Sequence, residues 1–110
     1  MSKERWITEM GMGVDVHGQD YTTAACRAVS DALRHSSLNF FSASGKSRDE
    51  MDIEVIIAVA EPDSVNIQQV ANEIPYGKVL VRVTRGGLDI PDQSGSDSIV
   101  IANAAVLVHF

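Results

Sequence analysis

Residues 51–62, MDIEVIIAVAEP, decide the fold, because apolar side chains fill both alternating sets of positions in this stretch. Ile53 and Val55 share one face of an extended chain, and Ile56 and Ala58 occupy the opposite face. A strand that is apolar on both faces is typical of the interior of a sheet, where each face packs against other groups. The stretch is therefore predicted to be a central strand.

A helical pattern lies on each side of this strand. Before it, Asp20 is a suitable N-cap, and small or apolar side chains recur at helical spacing through residues 25–33. After it, an apolar stripe covers residues 67–74, with Asp63 as a candidate cap and Pro75 as a stop. Both stretches are predicted to be amphipathic helices that cover a sheet.

Further strands are predicted at residues 6–10, 77–85 and 98–110, and the first of them is expected to end before Gly11. Residues 86–97, GGLDIPDQSGSD, have the composition of a long connection. The resulting order, β-α-β-α-β-β, predicts an α+β fold. In this fold a mixed four-stranded sheet carries two helices on one face.

The other face of the sheet is also rich in apolar residues. Ile56, Leu80 and Leu107 lie on predicted strands, and two helices are too few to cover both faces. A large exposed apolar surface is typical of an interaction site. This face is therefore predicted to be buried in the interface of a homo-oligomer.

The composition excludes some classes of function. The 110 residues fit one domain, residues 1–110, and 45% apolar with 22% charged residues is an ordinary globular mixture. The formal net charge of −6 argues against a nucleic-acid-binding surface, which needs clustered cations. We therefore expect no nucleic-acid partner.

Cysteine usage and hydropathy bear on the cellular compartment. Cys26 is the only cysteine and lies inside the first predicted helix, which favours a small packed residue over a nucleophile. No stretch has the length and hydropathy of a signal peptide or a membrane span. The sequence predicts a cytoplasmic protein with no membrane partner.

Residues 9–23, EMGMGVDVHGQDYTT, join the first strand to the first helix and have the composition of a binding site. Gly11 and Gly13 permit backbone approaches that other residues resist, and the helix that follows directs free N–H groups at the turn. His17 can exchange a proton near neutral pH, and Asp15, two residues earlier, would orient it. The stretch predicts a small-molecule site built around His17.

Two other interpretations of this turn stay open. Asp15 and His17 could share a metal ion, although structural metal sites normally need three or four ligands, and no metal is predicted. Together with Gln19 they could instead cap the turn and the helix, which is a purely structural role. The stretch is not a dinucleotide-binding fingerprint, because Val16 occupies the position of the third glycine.

A second glycine-rich element, RVTRGGLDIP, follows the third predicted strand. Arg85 could bind a carboxylate or phosphate there, with Gly86 and Gly87 shaping the loop. The alternative is that the two glycines only turn the chain. For Arg82, a pair with an acidic side chain is the favoured interpretation.

Gly11, Gly13, Asp15, His17 and Gly18 form a G-x-G-x-D-x-H-G pattern. Through this pattern the chain resembles, over essentially its whole length, a small conserved-hypothetical family of bacteria and plants that has no established activity. The order of elements is also similar to the trimeric chorismate-mutase/YjgF-like arrangement. That similarity implies a trimer with ligands in clefts between subunits.

These observations predict a cytoplasmic homo-oligomer, with a trimer as the expected form, that binds a small anionic metabolite at a subunit cleft. His17 and Asp15 are the predicted catalytic pair, and hydrolysis or isomerisation by general acid–base chemistry is the expected class. The sequence identifies no cofactor. The predicted ligand-binding residues are Gly11, Gly13, Gly18, Gln19, Arg85, Gly86 and Gly87. The alternative is a non-catalytic structural or regulatory oligomer, in which the motif builds the fold or the interface.

Overall fold

The computed structural model describes residues 3–35 and 48–110. The described chain forms five strands, two α-helices and two short 3₁₀ turns. The strands are β1 (Arg5–Asp15), β2 (Asp52–Val59), β3 (Lys78–Arg85), β4 (Leu88–Pro91) and β5 (Ser98–His109). The helices are α1 (Tyr21–Arg34) and α2 (Ile67–Ala71), and the 3₁₀ turns are Arg48–Glu50 and Pro62–Ser64.

The strands form a mixed sheet in the order β1-β5-β2-β3, with β4 paired to the first residues of β5. β2 and β3 are parallel, and the other pairs are antiparallel. β1, β2 and β3 therefore run in the same direction and end at the same side of the sheet. The predicted α+β class is confirmed, with two helices on one face of a mixed sheet.

The sheet has five strands where four were predicted. Leu88–Pro91 lies in the stretch predicted to be a connection, and it pairs with Ser98–Ile101 of β5. Four residues are too few to show an alternating pattern, and Pro91 is a residue that interior strands avoid. Only the pairing with β5 identifies this stretch as a strand.

Two predicted boundaries are wrong. β1 does not end before Gly11 but continues to Asp15. α2 does not begin near Asp63, which lies in a 3₁₀ turn, but begins at Ile67, where the Asn66 side chain caps the helix by accepting from Gln69 N at 3.1 Å. The predicted start of α1 is confirmed, because Asp20 is its N-cap.

The packing of α1 on β1 explains why β1 contains glycines. A Cβ atom on Gly11 would lie within 3.0 Å of the backbone of Ala28 and Ala32, and one on Gly13 would lie within 3.0 Å of the backbone of Ala24 and Ala28. The three alanines lie four residues apart on one face of α1 and are fully buried. Strand and helix backbones therefore approach more closely than any larger residue would permit.

The hydrophobic core lies between the helices and one face of the sheet. It includes Val29 of α1, Val70 of α2, and the inward residues of β2 and β5, such as Val55, Ile57 and Val106. These strand residues alternate with exposed or half-buried ones along each strand. Each strand therefore has one face in the core and one face turned away from it.

The face turned away from the helices is not covered by any described residue, and we call it the open face. It consists of residues 5, 8, 10, 12 and 14 of β1, the even-numbered residues 52–58 of β2 and 78–84 of β3, residues 88 and 90 of β4, and the odd-numbered residues 99–109 of β5. Met10 is 70% exposed there and Leu80 65%. Among the described residues, no helix is both long and apolar enough to cross a bilayer.

Gly13→Ala is expected to destabilise the protein, because the added methyl group must push α1 away from β1. Overpacking of this kind costs about 1–3 kcal/mol or more. Urea unfolding measures the change. Gly95→Ala is the control, since a Cβ at Gly95 meets no atom within 4 Å and only its positive φ of 74° opposes the substitution. Equal losses in the two variants would contradict the packing role of Gly13.

Candidate functional site

The ends of three strands and the start of α1 meet at one side of the sheet, which we call the strand-end edge. It is formed by residues 16–21 after β1, residues 60–64 after β2, residues 85–92 after β3, and residues 97–98 at the start of β5. The loops at the ends of strands are a common place for binding sites, because a rigid sheet positions them. Most of the predicted site residues lie here.

The turn between β1 and α1 depends on two residues with positive φ, Gly18 at 90° and Gln19 at 51°. Gly18 N donates to both carboxylate oxygens of Asp97, at 3.2 Å and 3.1 Å. This backbone hydrogen bond is the main cause that holds the pKa of Asp97 below its usual value. The turn is thus tied to the first residues of β5.

The N-terminus of α1 is capped by the chain itself. Asp20 Oδ1 accepts from Thr23 N at 3.0 Å, and hydrogen bonds from Thr23 are the main cause that lowers the pKa of Asp20. Because this carboxylate already compensates the free N–H groups and the positive end of the helix dipole, a bound anion would gain little there. The predicted anion pocket at this helix end is therefore already filled by Asp20.

The Asp15 side chain is paired with groups of the chain itself. Its side chain is buried, its Oδ2 accepts from Asp20 N at 3.0 Å, and its Oδ1 lies 3.5 Å from Arg27 Nη1. Arg27 Nη1 also donates to Val14 O at 2.7 Å. Asp15 therefore joins the end of β1 to the first turns of α1.

His17 lies apart from Asp15, and no hydrogen bond or ion pair joins the two within the part of the chain that the structure describes. The His17 side chain is 90% exposed, and its Nδ1 lies 3.8 Å from Asp97 Oδ2. The predicted orientation of His17 by Asp15 is thus replaced by a neighbour from the start of β5. β1 ends at Asp15, so His17 lies on the turn beyond the strand, where the neighbouring Gly18 N donates to Asp97.

A hydrogen-bonded group that the sequence analysis missed lies beside the turn. The Tyr21 hydroxyl donates to Asp89 Oδ2 and accepts from Gln19 Nε2 at 2.9 Å. Burial, followed by the hydrogen bond to Asp89, raises the pKa of Tyr21. Asp89 Oδ1 is buried and has no hydrogen-bond partner among the described residues. No local pattern links Tyr21 with Asp89, because they are 68 positions apart.

Three cavities adjoin the strand-end edge. One of about 490 Å³ is lined by Gly18, Gln19, Asp20, Tyr21, Glu61 and Ser64. A second of about 270 Å³ is lined by residues 60–64 and Arg85. A third of about 190 Å³ is lined by Val16, His17, Ile90, Pro91, Asp92, Asp97, Ser98 and Ile99. The first two share Glu61 and Ser64, whereas His17 and Arg85 line different cavities.

The other predicted ligand-binding glycines are packed against backbone or small side chains. Gly11 and Gly13 lie beneath α1, and none of the three cavities is lined by them. Gly86 N donates to Val59 O at 2.9 Å, and Gly87, with a φ of 63°, has no room for a Cβ beside Ile101 O. Of the predicted ligand-binding residues, Gly18, Gln19 and Arg85 line cavities at the strand-end edge.

Other groups with possible chemistry are less favourably placed. Burial raises the pKa of the Cys26 thiol to about 11, so that the thiolate is scarce at neutral pH. Within residues 3–35 and 48–110, no three His, Cys, Asp or Glu side chains are grouped as metal ligands. Arg82 Nε lies 3.5 Å from Glu54 Oε2, on the open face, which agrees with the pairing favoured for it.

Comparisons with known proteins agree with this description. The model of a family described as a conserved hypothetical protein (Lin0512_fam) matches residues 5–108, which confirms the resemblance to a conserved-hypothetical family. A solved structure of an FtsZ-like protein of unknown function from Nostoc punctiforme is similar over 100% of this chain and 98% of its own. It has 37% sequence identity and a TM-score of 0.87. No curated protein matches.

Asp15→Ala is expected to lower the free energy of unfolding by about 1–3 kcal/mol, because the Asp20 N–H loses its acceptor in a partly buried hydrogen bond. His17→Ala is the matched control from the same motif, and we expect a change within about 0.5 kcal/mol for its exposed side chain. Chemical denaturation of both variants measures the difference. A large loss in His17→Ala would contradict the separation of the two residues.

Stability is expected to fall on acidification, partly through Asp20. The pKa of Asp20 is lowered in the folded protein, so as the pH falls its carboxylate is protonated first in the unfolded chain. The stabilisation that Asp20 provides above about pH 4 is therefore lost as the pH falls through the folded pKa. Asp20→Asn keeps a capping oxygen without the charge. Between pH 5 and pH 3 it should therefore lose less stability than the wild type in urea unfolding.

The control for this pH dependence is Asp63→Asn. It removes an exposed carboxylate that makes no hydrogen bond with any described side chain, and it should leave the acid-induced loss as large as in the wild type. If Asp20→Asn and the wild type lost the same stability over this range, the charged cap would not be a source of the pH dependence.

Proposed function

The chain belongs to the conserved hypothetical family Lin0512_fam, and we propose that it is a homo-oligomer that binds a small polar metabolite with an acidic group at the strand-end edge. We further propose a cytoplasmic location, and a trimer as the form implied by the resemblance to chorismate-mutase-like proteins. Arg85 is the proposed partner of the acidic group.

The observation that carries this proposal is that two adjacent cavities share Glu61 and Ser64 in their linings. Together these cavities extend from Arg85 to the turn at Gly18 and Tyr21. Arg85 makes no ion pair within 4 Å with any residue of the described ranges, so its guanidinium group is available to an external carboxylate or phosphate.

The carboxylates along the same cavities narrow the chemistry of the ligand. Glu61 lines both cavities, and Asp63 lines the one that contains Arg85. An anion alone would be repelled by these groups, whereas a molecule that also carries an amino or hydroxyl group can donate to them. A small amino acid or hydroxy acid therefore fits the proposal better than inorganic phosphate.

We do not expect the anion at the start of α1, because the Asp20 carboxylate already accepts from Thr23 N and places a negative charge at this helix end. This arrangement favours Arg85 as the residue that binds the negatively charged group of the ligand. Gln19 and Ser64 remain as neutral hydrogen-bonding groups along the cavity. If the bound molecule is chemically changed, His17 is the proposed acid–base group, because its exposed side chain lines the neighbouring cavity and is next in the chain to Gly18, which lines the larger cavity of the proposed site.

A second candidate is a non-catalytic oligomer in which the motif builds the fold. A specific observation favours it, because Gly11 and Gly13 are used for packing on α1 and Asp15 for joining β1 to α1. In this interpretation the exposed His17 has no ligand. The two candidates differ in whether any small molecule stabilises the folded chain.

A thermal-shift screen with small amino acids, hydroxy acids, dicarboxylates and phosphate tests the proposal. A ligand at 100 times its dissociation constant adds about 2.7 kcal/mol to stability and should raise the melting temperature by several degrees. Arg85→Ala should abolish that rise. His17→Ala should keep the rise if His17 acts only on protons and contributes little to binding.

Arg34→Ala and His35→Ala are matched controls, because they change the same residue types at the opposite end of α1. Both should respond to the ligand as the wild type does. If no compound of these classes shifts the melting temperature, or if Arg85→Ala retains the shift, the proposed site is overturned and the non-catalytic candidate is favoured.

A further inference from the structure

We infer that the open face of the sheet is buried against the open face of a second copy of this chain, and that the copies do not join by adding strands at the sheet edges. The inference rests on the self-association proposed above and specifies the surface that provides it. Its unit is a face-to-face pair in place of the proposed trimer, because two flat faces that cover each other leave none for a third copy. Its evidence comes from the apolar surface, the charges and the two edges of the sheet.

The open face has the size and composition of a protein–protein interface. Met10, Met12, Leu80, Leu88 and Ile90 lie on it with exposed fractions between 46% and 70%. Four strands spaced about 4.8 Å apart, each with about eight residues, give a flat area on the order of 500 Å². With side-chain relief this approaches the roughly 800 Å² per partner that a stable interface buries.

The charges of the open face favour a second copy as the partner. The face carries the basic residues Arg5, Lys78 and Arg82 and the acidic residues Asp52 and Glu54, so its charges nearly cancel. The whole chain has a net charge of −6, and the excess acid therefore lies elsewhere. Two copies repel each other least when they approach through this face.

α1 covers the last part of the sheet edge at β1. Met12 N, which would otherwise point to a new strand, donates to Asp31 Oδ2 at 3.0 Å. Val14 O, on the same edge, accepts from Arg27 Nη1 at 2.7 Å. An incoming strand would have to displace both side chains before it could pair, which is a known way of protecting an edge strand.

The edge at β3 is protected by charge. Lys78, Arg82 and Arg85 are spread along this strand of eight residues. In an antiparallel pair of two β3 strands centred on each other, Lys78 of each copy would lie opposite Arg85 of the other. Like charges directly opposite destabilise a strand pair. Because part of the β1 edge is covered and the β3 edge is charged, we assign association to the open face.

The test is the solution mass of variants that place a charge on the open face. Met10→Glu and Leu80→Glu change side chains that are already exposed in the single chain, so each should fold and should have the mass of one chain, 11.9 kDa. The wild type should have a multiple of that mass. Ile67→Glu is the matched control, because Ile67 is 50% exposed on α2 and its charge should leave the assembly intact.

Sedimentation equilibrium gives the masses, and circular dichroism confirms that each variant is folded. Arg27→Ala combined with Asp31→Ala opens the β1 edge and should produce species larger than the wild-type assembly.

The inference is overturned if both open-face variants keep the wild-type mass, or if the wild type has the mass of one chain at every concentration. A single-chain wild type that still binds a ligand would overturn this inference and the proposed self-association but leave the proposed ligand site standing, and an assembly that binds none would overturn the proposed site alone.

Discussion

The close approach of α1 to β1 is the constraint on which the rest of the structure depends. Gly11 and Gly13 have no side chain, and they face three alanines on α1. A glycine inside a strand lowers stability by about 0.5–1 kcal/mol, because glycine loses more conformational entropy on folding than other residues do. The close packing of α1 on the sheet offsets that cost and sets the position of the helix relative to β1.

The position of α1 in turn determines the strand-end edge. Because the helix begins directly above the end of β1, Asp15 can accept from Asp20 N, and Asp20 can cap the first turn. The same placement brings the Tyr21 hydroxyl to Asp89 on β4. On the outer side of β1, Arg27 and Asp31 of α1 occupy the backbone groups of the edge.

The motif at the start of the chain therefore combines two kinds of residue. Gly11, Gly13 and Asp15 hold α1 against the sheet, whereas His17 contributes almost nothing to packing. Asp15 and His17 are two residues apart, and in an extended chain their side chains would lie on the same side. The spacing therefore predicts one shared role for them. β1 ends at Asp15, and His17 lies on the turn beyond it, which the hydrogen bond from Gly18 N ties to Asp97.

The sequence by itself determined the class of the fold, the cap of α1 and the apolar character of both sheet faces, because periodicity and capping are local properties of the chain. Tertiary structure alone decided the strand β4, the Tyr21–Asp89 hydrogen bond and the adjacent cavities that share Glu61. Each of these needs groups that are distant in sequence to meet. Their meeting depends on how closely α1 packs and on which residues pair with β5, and no local pattern contains that information.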